Sequence, residues 1–210
     1  PEEETDFLYE YAAVACEFTT GDPLTQDEID LDECLDDAGA PKYPNKNIWL
    51  AGLVTMFLHG GIGHLASNMW FLWIFGNNVE EAYGTLGYLL LFLVTGGIAT
   101  AAFVMGNSEA TVPMIGASGA IAGVLGAYLV LFPTHKVLSL FVVFFVHVPA
   151  GVYLFLWFLL QFAIQQPGVA WEAHVGGFIA GVVITLPLRP VLLHRVQRLH
   201  EPVPRYRLTR

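Results

Sequence analysis

Residues 87–105 read GYLLLFLVTGGIATAAFVM, 19 positions without a charged side chain. Wound as a helix at about 1.5 Å per residue, this run reaches about 28 Å, close to the ~30 Å hydrocarbon thickness of a bilayer. Comparable apolar runs flank it at Ile48–Phe75, Ser118–Phe132, Val148–Ile164 and Val169–Leu188. Lipid offers no partners for open backbone groups, so all five are expected as helices. The expected fold class is an all-α polytopic membrane helix bundle with five spans in this chain. Composition agrees: 55% of residues are hydrophobic, 13% are charged and the mean hydropathy is +0.55, outside the range of ordinary soluble domains.

Short polar turns separate the runs: Gly76-Asn77-Asn78, Gly106-Asn107-Ser108-Glu109, Pro133-Thr134-His135-Lys136 and Gln165-Gln166-Pro167-Gly168. Residues Val137–His147 are apolar but too short for another crossing, and an interfacial or buried loop is expected there. Residues 1–47 carry 14 of the 19 acids and no spanning run, so they cannot enter lipid. The last 22 residues carry 6 of the 9 lysines and arginines, which the positive-inside rule places in the cytoplasm. Three regions follow: 1–47 as an acidic outer loop, 48–188 as the membrane core, and 189–210 as a basic cytoplasmic tail. Counting five crossings back from the tail puts the starts of the third and fifth spans towards the outer leaflet. The net charge of −10 is thus divided between two ends, and nothing in it points to nucleic acid. Cys16 and Cys34 both lie in the acidic segment, either bridged on an oxidising side or left as two thiols.

A polar side chain inside a membrane helix costs a few kcal/mol, so each one calls for a reason. Four stand out: His64, Asn68, Ser118 and His174. Ser118 alone reads as a helix-start residue and His174 alone as a buried hydrogen-bonding histidine. At matching depth, on helices rich in small residues that permit close approach, they suit a nucleophile and its general base. A serine hydroxyl needs such a base to take its proton during attack. Between Glu81 and Glu172 the only carboxylate is Glu109, in a turn, so a Ser–His dyad is expected rather than a triad. Acyl transfer also needs donors aimed at the oxyanion. His64 and Asn68, spaced i, i+4 on one helix face, are candidates, with the Ser118 N–H as a third. His59 is left outside this set, as a structural neighbour.

The residues resemble the rhomboid family of intramembrane serine proteases from about Ile48 to Leu188. His59-Gly-Gly-Ile-Gly-His64-Leu-Ala-Ser-Asn68 is similar to the family's histidine and asparagine motif. A Phe75-Gly-Asn-Asn-Val-Glu80 run, also similar to family members, follows it. Gly116-Ala-Ser118-Gly119 resembles the nucleophile motif, and Ala173-His174-Val-Gly-Gly177-Phe-Ile-Ala-Gly181 the base motif. The resemblance implies a six-helix core whose first helix precedes Pro1. It implies Ser118 as nucleophile, His174 as base, and His64, Asn68 and the Ser118 amide as the oxyanion site. Substrates would be single-span membrane proteins met in the lipid bilayer of the cell membrane, cut near the outer face. No metal or organic cofactor is implied. Family members often support the histidine ring with an aromatic residue one turn after the nucleophile, where this chain has Ala122. The Trp-Arg pair of well-studied members has no counterpart in residues 1–47.

Two rival functions are a catalytically inactive rhomboid-like protein that binds membrane clients, and a transporter with the four polar residues along a path. The first is usually marked by loss of the serine or histidine, and both are present. The second would call for paired charged residues within spans, and none of the five runs has an internal Asp, Glu, Lys or Arg. Because the chain opens without Met or a signal peptide, residues upstream of Pro1 are expected. By analogy with lid-gated enzymes, a mobile cover is expected at Gln165–Val169 or at the top of the Val148 helix.

Overall fold

The computed structural model describes residues 2–35, 39–141, 144–163 and 168–201. Residues 1–47 are expected as a loop, but their described residues form three short helices: α1 (Glu2–Tyr11), α2 (Ala15–Thr20) and α3 (Gln26–Leu31). A capping box starts α3, in which the Thr25 hydroxyl accepts from the Glu28 N–H and the Glu28 carboxylate accepts from the Thr25 N–H. Cys16 and Cys34 are joined by a disulfide, so the bridged alternative holds. Val14, Cys16 and Leu24 form a small apolar core.

The Glu17 carboxylate and Lys46 ammonium lie 2.6 Å apart, with side-chain exposures of 2% and 1%. Glu17 also accepts from the Leu24 N–H, and Lys46 donates to the Tyr9 carbonyl. Burial pushes the Glu17 carboxyl up and the Lys46 ammonium down, and each partner's charge opposes the other's shift.

The first expected span is not one helix. It is broken into α4 (Ile48–Val54), continued by a tight turn over Thr55–Phe57, and α5 (Ile62–Phe71), with the two limbs bent by 79°. The break holds Leu58 in extended conformation and Gly61 at φ 140°, a backbone region that side-chain-bearing residues rarely adopt. After α5 the helix does not stop at Gly76-Asn77-Asn78 as expected. A π-helical stretch, Leu72–Gly76, carries it into α6 (Asn77–Tyr83), and the turn comes at Gly84.

Helix α7 (Thr85–Gly106) matches its apolar run, and α8 (Ser118–Leu131) begins at Ser118 itself. The loop expected at Val137–His147 is an antiparallel hairpin, β1 (Lys136–Phe141) with β2 (Phe144–Pro149), in which Lys136 pairs with Pro149 and Phe141 with Phe144. It is the one sheet among the described residues. Helix α9 (Ala150–Ala163) follows directly. Helix α10 (Trp171–Leu199) runs past Leu188, through Pro187 and Pro190, into the segment expected as a tail.

By length and composition α7 and α10 can each cross a bilayer, as can the bent α4–α6 stretch taken as one span. With 14 residues each, α8 and α9 reach about 21 Å. Most of α8 is buried against the other helices, so protein rather than lipid surrounds it. The outward faces of α5 with the π-helical stretch after it, of α7 and of α9 expose Trp70, Trp73, Leu86, Leu90, Phe155 and Leu159, an apolar surface that a bilayer covers. The main core gathers Phe75, Val79, Leu91, Val124, Leu125, Tyr128 and Leu154 around α8.

Candidate active site

Two glycine pairs set the depth at which α8 and α10 meet. A Cβ added to Gly177 would overlap the carbonyl oxygen of Gly119, and one added to Gly181 would overlap that of Gly123. Gly126 likewise meets the backbone at Phe178. Both helices therefore present a small-xxx-small face, along which backbones approach until they touch. Ser118 precedes Gly119, and His174 lies one turn before Gly177, so this register brings the two side chains together.

The Ser118 Oγ and His174 Nε2 are 2.8 Å apart. On the other edge of the ring, His174 Nδ1 is 2.8 Å from Gln161 Oε1 on α9. The Gln161 amide nitrogen donates back to the Trp157 carbonyl at 3.2 Å, and the Trp157 ring lies 6.0 Å from that of His174. Ala122 is fully buried and carries no ring to stack on the imidazole, and the aromatic side chain beside that ring comes from α9. Gln161 and Trp157 escaped the sequence reading. The available signal was that Gln161 is the one amide in the apolar run Ala150–Ala163.

His64 and Asn68 share α5, as their spacing predicts. Gly116 has φ 119°, and a Cβ on it would lie 2.8 Å from His64 Nε2 and 3.7 Å from Ser118 Oγ. The turn thus needs glycine both for its backbone and for the space between these side chains. Asn68 is buried, and its amide nitrogen donates to the His64 carbonyl at 3.0 Å, tying it to its own helix. His59 packs edge-on against His64, with ring centroids 5.2 Å apart.

All four residues line one cavity of about 870 Å³. Its wall also includes Met56, Trp157 and Glu172, with Gly168 and Val169 at the rim before α10. Of the expected cover, Gln165–Pro167 lies outside the described residues, while Val169 and α9 do border the cavity. The loop before Ser118 is fixed from two sides. Gly116 N–H donates to the Thr55 carbonyl at 3.0 Å, and the Thr55 hydroxyl donates to the Met114 carbonyl. From the N-terminal helices, Met114 N–H donates to the Ala13 carbonyl at 2.8 Å and Cys16 N–H to the Ala110 carbonyl at 3.0 Å.

A half-buried serine hydrogen-bonded to a histidine, with further polar side chains on the wall of the same cavity, has the parts needed for acyl transfer. Fold and composition together define a multi-pass helical membrane protein. Comparison with known proteins gives the family. The sequence model of the Rhomboid domain matches residues 46–191, and the chain belongs to the rhomboid family. It is 35% identical over 136 residues to "Rhomboid protease GluP" of Bacillus subtilis, covering 63% of this chain and 25% of that protein. It is 32% identical over 152 residues to "Rhomboid protein 1, mitochondrial" of Saccharomyces cerevisiae, covering 67% and 42%. "RHOMBOID-like protein 4" of Arabidopsis thaliana is 32% identical over 146 residues, covering 64% and 33%. The chain thus spans less than half the length of these relatives.

Proposed function

We propose that this chain is an intramembrane serine endopeptidase that hydrolyses peptide bonds in or near the transmembrane segments of single-span membrane proteins. The 2.8 Å contact between Ser118 Oγ and His174 Nε2 carries the reading. Ser118 attacks the scissile carbonyl while His174 takes its proton, then returns it to the leaving amine; water hydrolyses the acyl-enzyme by the same route in reverse. The N–H of Ser118 opens α8 and has no partner within its own helix, so it is free to face the oxyanion. His64, beside Gly116, is the second donor. Asn68 serves as the third by swinging its amide from the His64 carbonyl towards the cavity. A protease is among the relatives by its printed name. A client-binding protein without activity has no need of a hydrogen-bonded Ser–His pair inside the membrane.

The proposed setting is the cell membrane. Residues 1–47 lie on the outer, oxidising side, in keeping with the Cys16–Cys34 bridge. The arginine-rich residues 189–210 lie in the cytoplasm. The test is labelling of the detergent-solubilised protein by a fluorophosphonate, with cleavage of a single-span reporter in proteoliposomes. Labelling and cleavage in wild type, both absent in Ser118→Ala and His174→Ala, are expected. Reporter cleavage that survives Ser118→Ala would overturn the reading.

A further inference from the structure

We infer that Gln161 is the positioning residue of the site, a neutral third member that fixes the proton of His174 on Nδ1 and leaves Nε2 bare to receive the Ser118 proton. The inference rests on the serine protease reading above, and adds to it a residue that no motif in the sequence marks.

The hydrogen-bond network determines the assignment. A side-chain amide has an acceptor end and a donor end, and its neighbours decide which points where. One end of the Gln161 amide faces the Trp157 carbonyl at 3.2 Å, and a carbonyl only accepts, so that end is the NH₂ group. The other end, Oε1, then faces His174 Nδ1 at 2.8 Å. An amide oxygen also only accepts, so Nδ1 must carry the proton. A neutral imidazole has one N–H. Nε2 is therefore a lone pair, and it faces the Ser118 hydroxyl at 2.8 Å, the geometry a general base needs.

Helix spacing supplies the rest. Trp157 and Gln161 are one turn apart on α9, so they lie on the same face. Trp157 borders the imidazole ring at 6.0 Å while Gln161 bonds its edge. Ala122 leaves the α8 side without a ring support, and α9 provides one. Unlike the aspartate of a charged triad, an amide orients the imidazole without offsetting the positive charge that forms during attack. It also avoids placing a carboxylate in lipid, where an ionised group is costly.

The experiment measures the fluorophosphonate labelling rate of the full chain from acid to alkaline pH in wild type, Gln161→Met, Gln161→Ala and Gln161→Glu, with the unfolding temperature of each. Gln161→Met fills the same space without an acceptor. It should slow labelling between tenfold and about a hundredfold, part of the roughly 10²–10⁴ that a general base supplies. Gln161→Ala should behave alike, and serves if the methionine variant does not fold. Gln161→Glu restores an acceptor and adds a charge, so it should keep most of the rate and move the acid limb of the profile upward by about one unit or more. Wild-type rate and profile in the methionine or alanine variant would overturn the inference. So would equal losses in all folded variants with an unmoved acid limb, the mark of a merely structural role. Absence of labelling in folded wild type would instead overturn the protease reading, and the inference with it.

Discussion

Gly181 stands against the carbonyl of Gly123 with no room for a methyl group between them, four residues beyond the matching contact of Gly177 with Gly119. These contacts hold α8 and α10 at backbone distance. The Ser118–His174 hydrogen bond sits at the end of the same seam. In a bilayer such packing carries the association of helices, because lipid is as apolar as the side chains it replaces.

Gly181→Ala should therefore push the helices apart, costing about 1–3 kcal/mol, the usual range for overpacking. Labelling of Ser118 should fall with it. Gly97 on α7 is the control, because nothing lies within 4 Å of a Cβ there. Gly97→Ala should leave labelling unchanged and raise stability by about 0.5–1 kcal/mol, the helix penalty of glycine. Thermal unfolding in detergent alongside fluorophosphonate labelling measures both. Equal behaviour of the two variants would remove the seam from the explanation.

The helices and the pair Ser118 and His174 were legible because membrane insertion makes polar residues rare, so those that remain point to a purpose. The spacing of His64 and Asn68 fixed their shared face for the same reason. Gln161 met that criterion too, yet the partner that gives it a purpose, His174, lies on a different helix. Its meaning depends on α9 packing beside α10, which hydropathy does not encode. The break at Leu58–Gly61 falls on His59-Gly60-Gly61, a turn signal in the sequence, but the apolar flanks on both sides read as one span, since bent and straight helices bury similar side chains. The same applies to Val137–His147, whose strand pairing requires two apolar segments to meet across a turn. The acidic segment was read as a loop because its ordering depends on one disulfide and one buried ion pair, both long-range.

Removing half of the Glu17–Lys46 pair leaves the other half buried and unpaired. Lys46→Met should cost about 3–5 kcal/mol, the range for breaking a buried ion pair from one side. The double variant Glu17→Leu with Lys46→Met should recover much of that loss, because no charge then remains in the apolar site. Chemical unfolding of Lys46→Met, Glu17→Leu and the double variant measures the coupling. Additive losses would mean that the two groups contribute independently despite their 2.6 Å separation.

The Cys16–Cys34 bridge closes a loop of 18 residues in sequence separation. Chain-entropy reasoning gives such a closure about 3 kcal/mol, so Cys16→Ser with Cys34→Ser should loosen the N-terminal helices by about that much. The effect should not stop there, because the segment that delivers Ser118 hangs from these helices through Met114 N–H to Ala13 and Cys16 N–H to Ala110. Hydrogen exchange is the direct measurement. Faster exchange at the amides of position 16 and of Met114, with little change at the buried amides of α8, is the expected pattern. Labelling of Ser118 should weaken only modestly, since Thr55 still holds Gly116 and Met114 from the membrane side. Unchanged exchange at Met114 in the double serine variant would mean that the Thr55 contacts alone order the approach to the site.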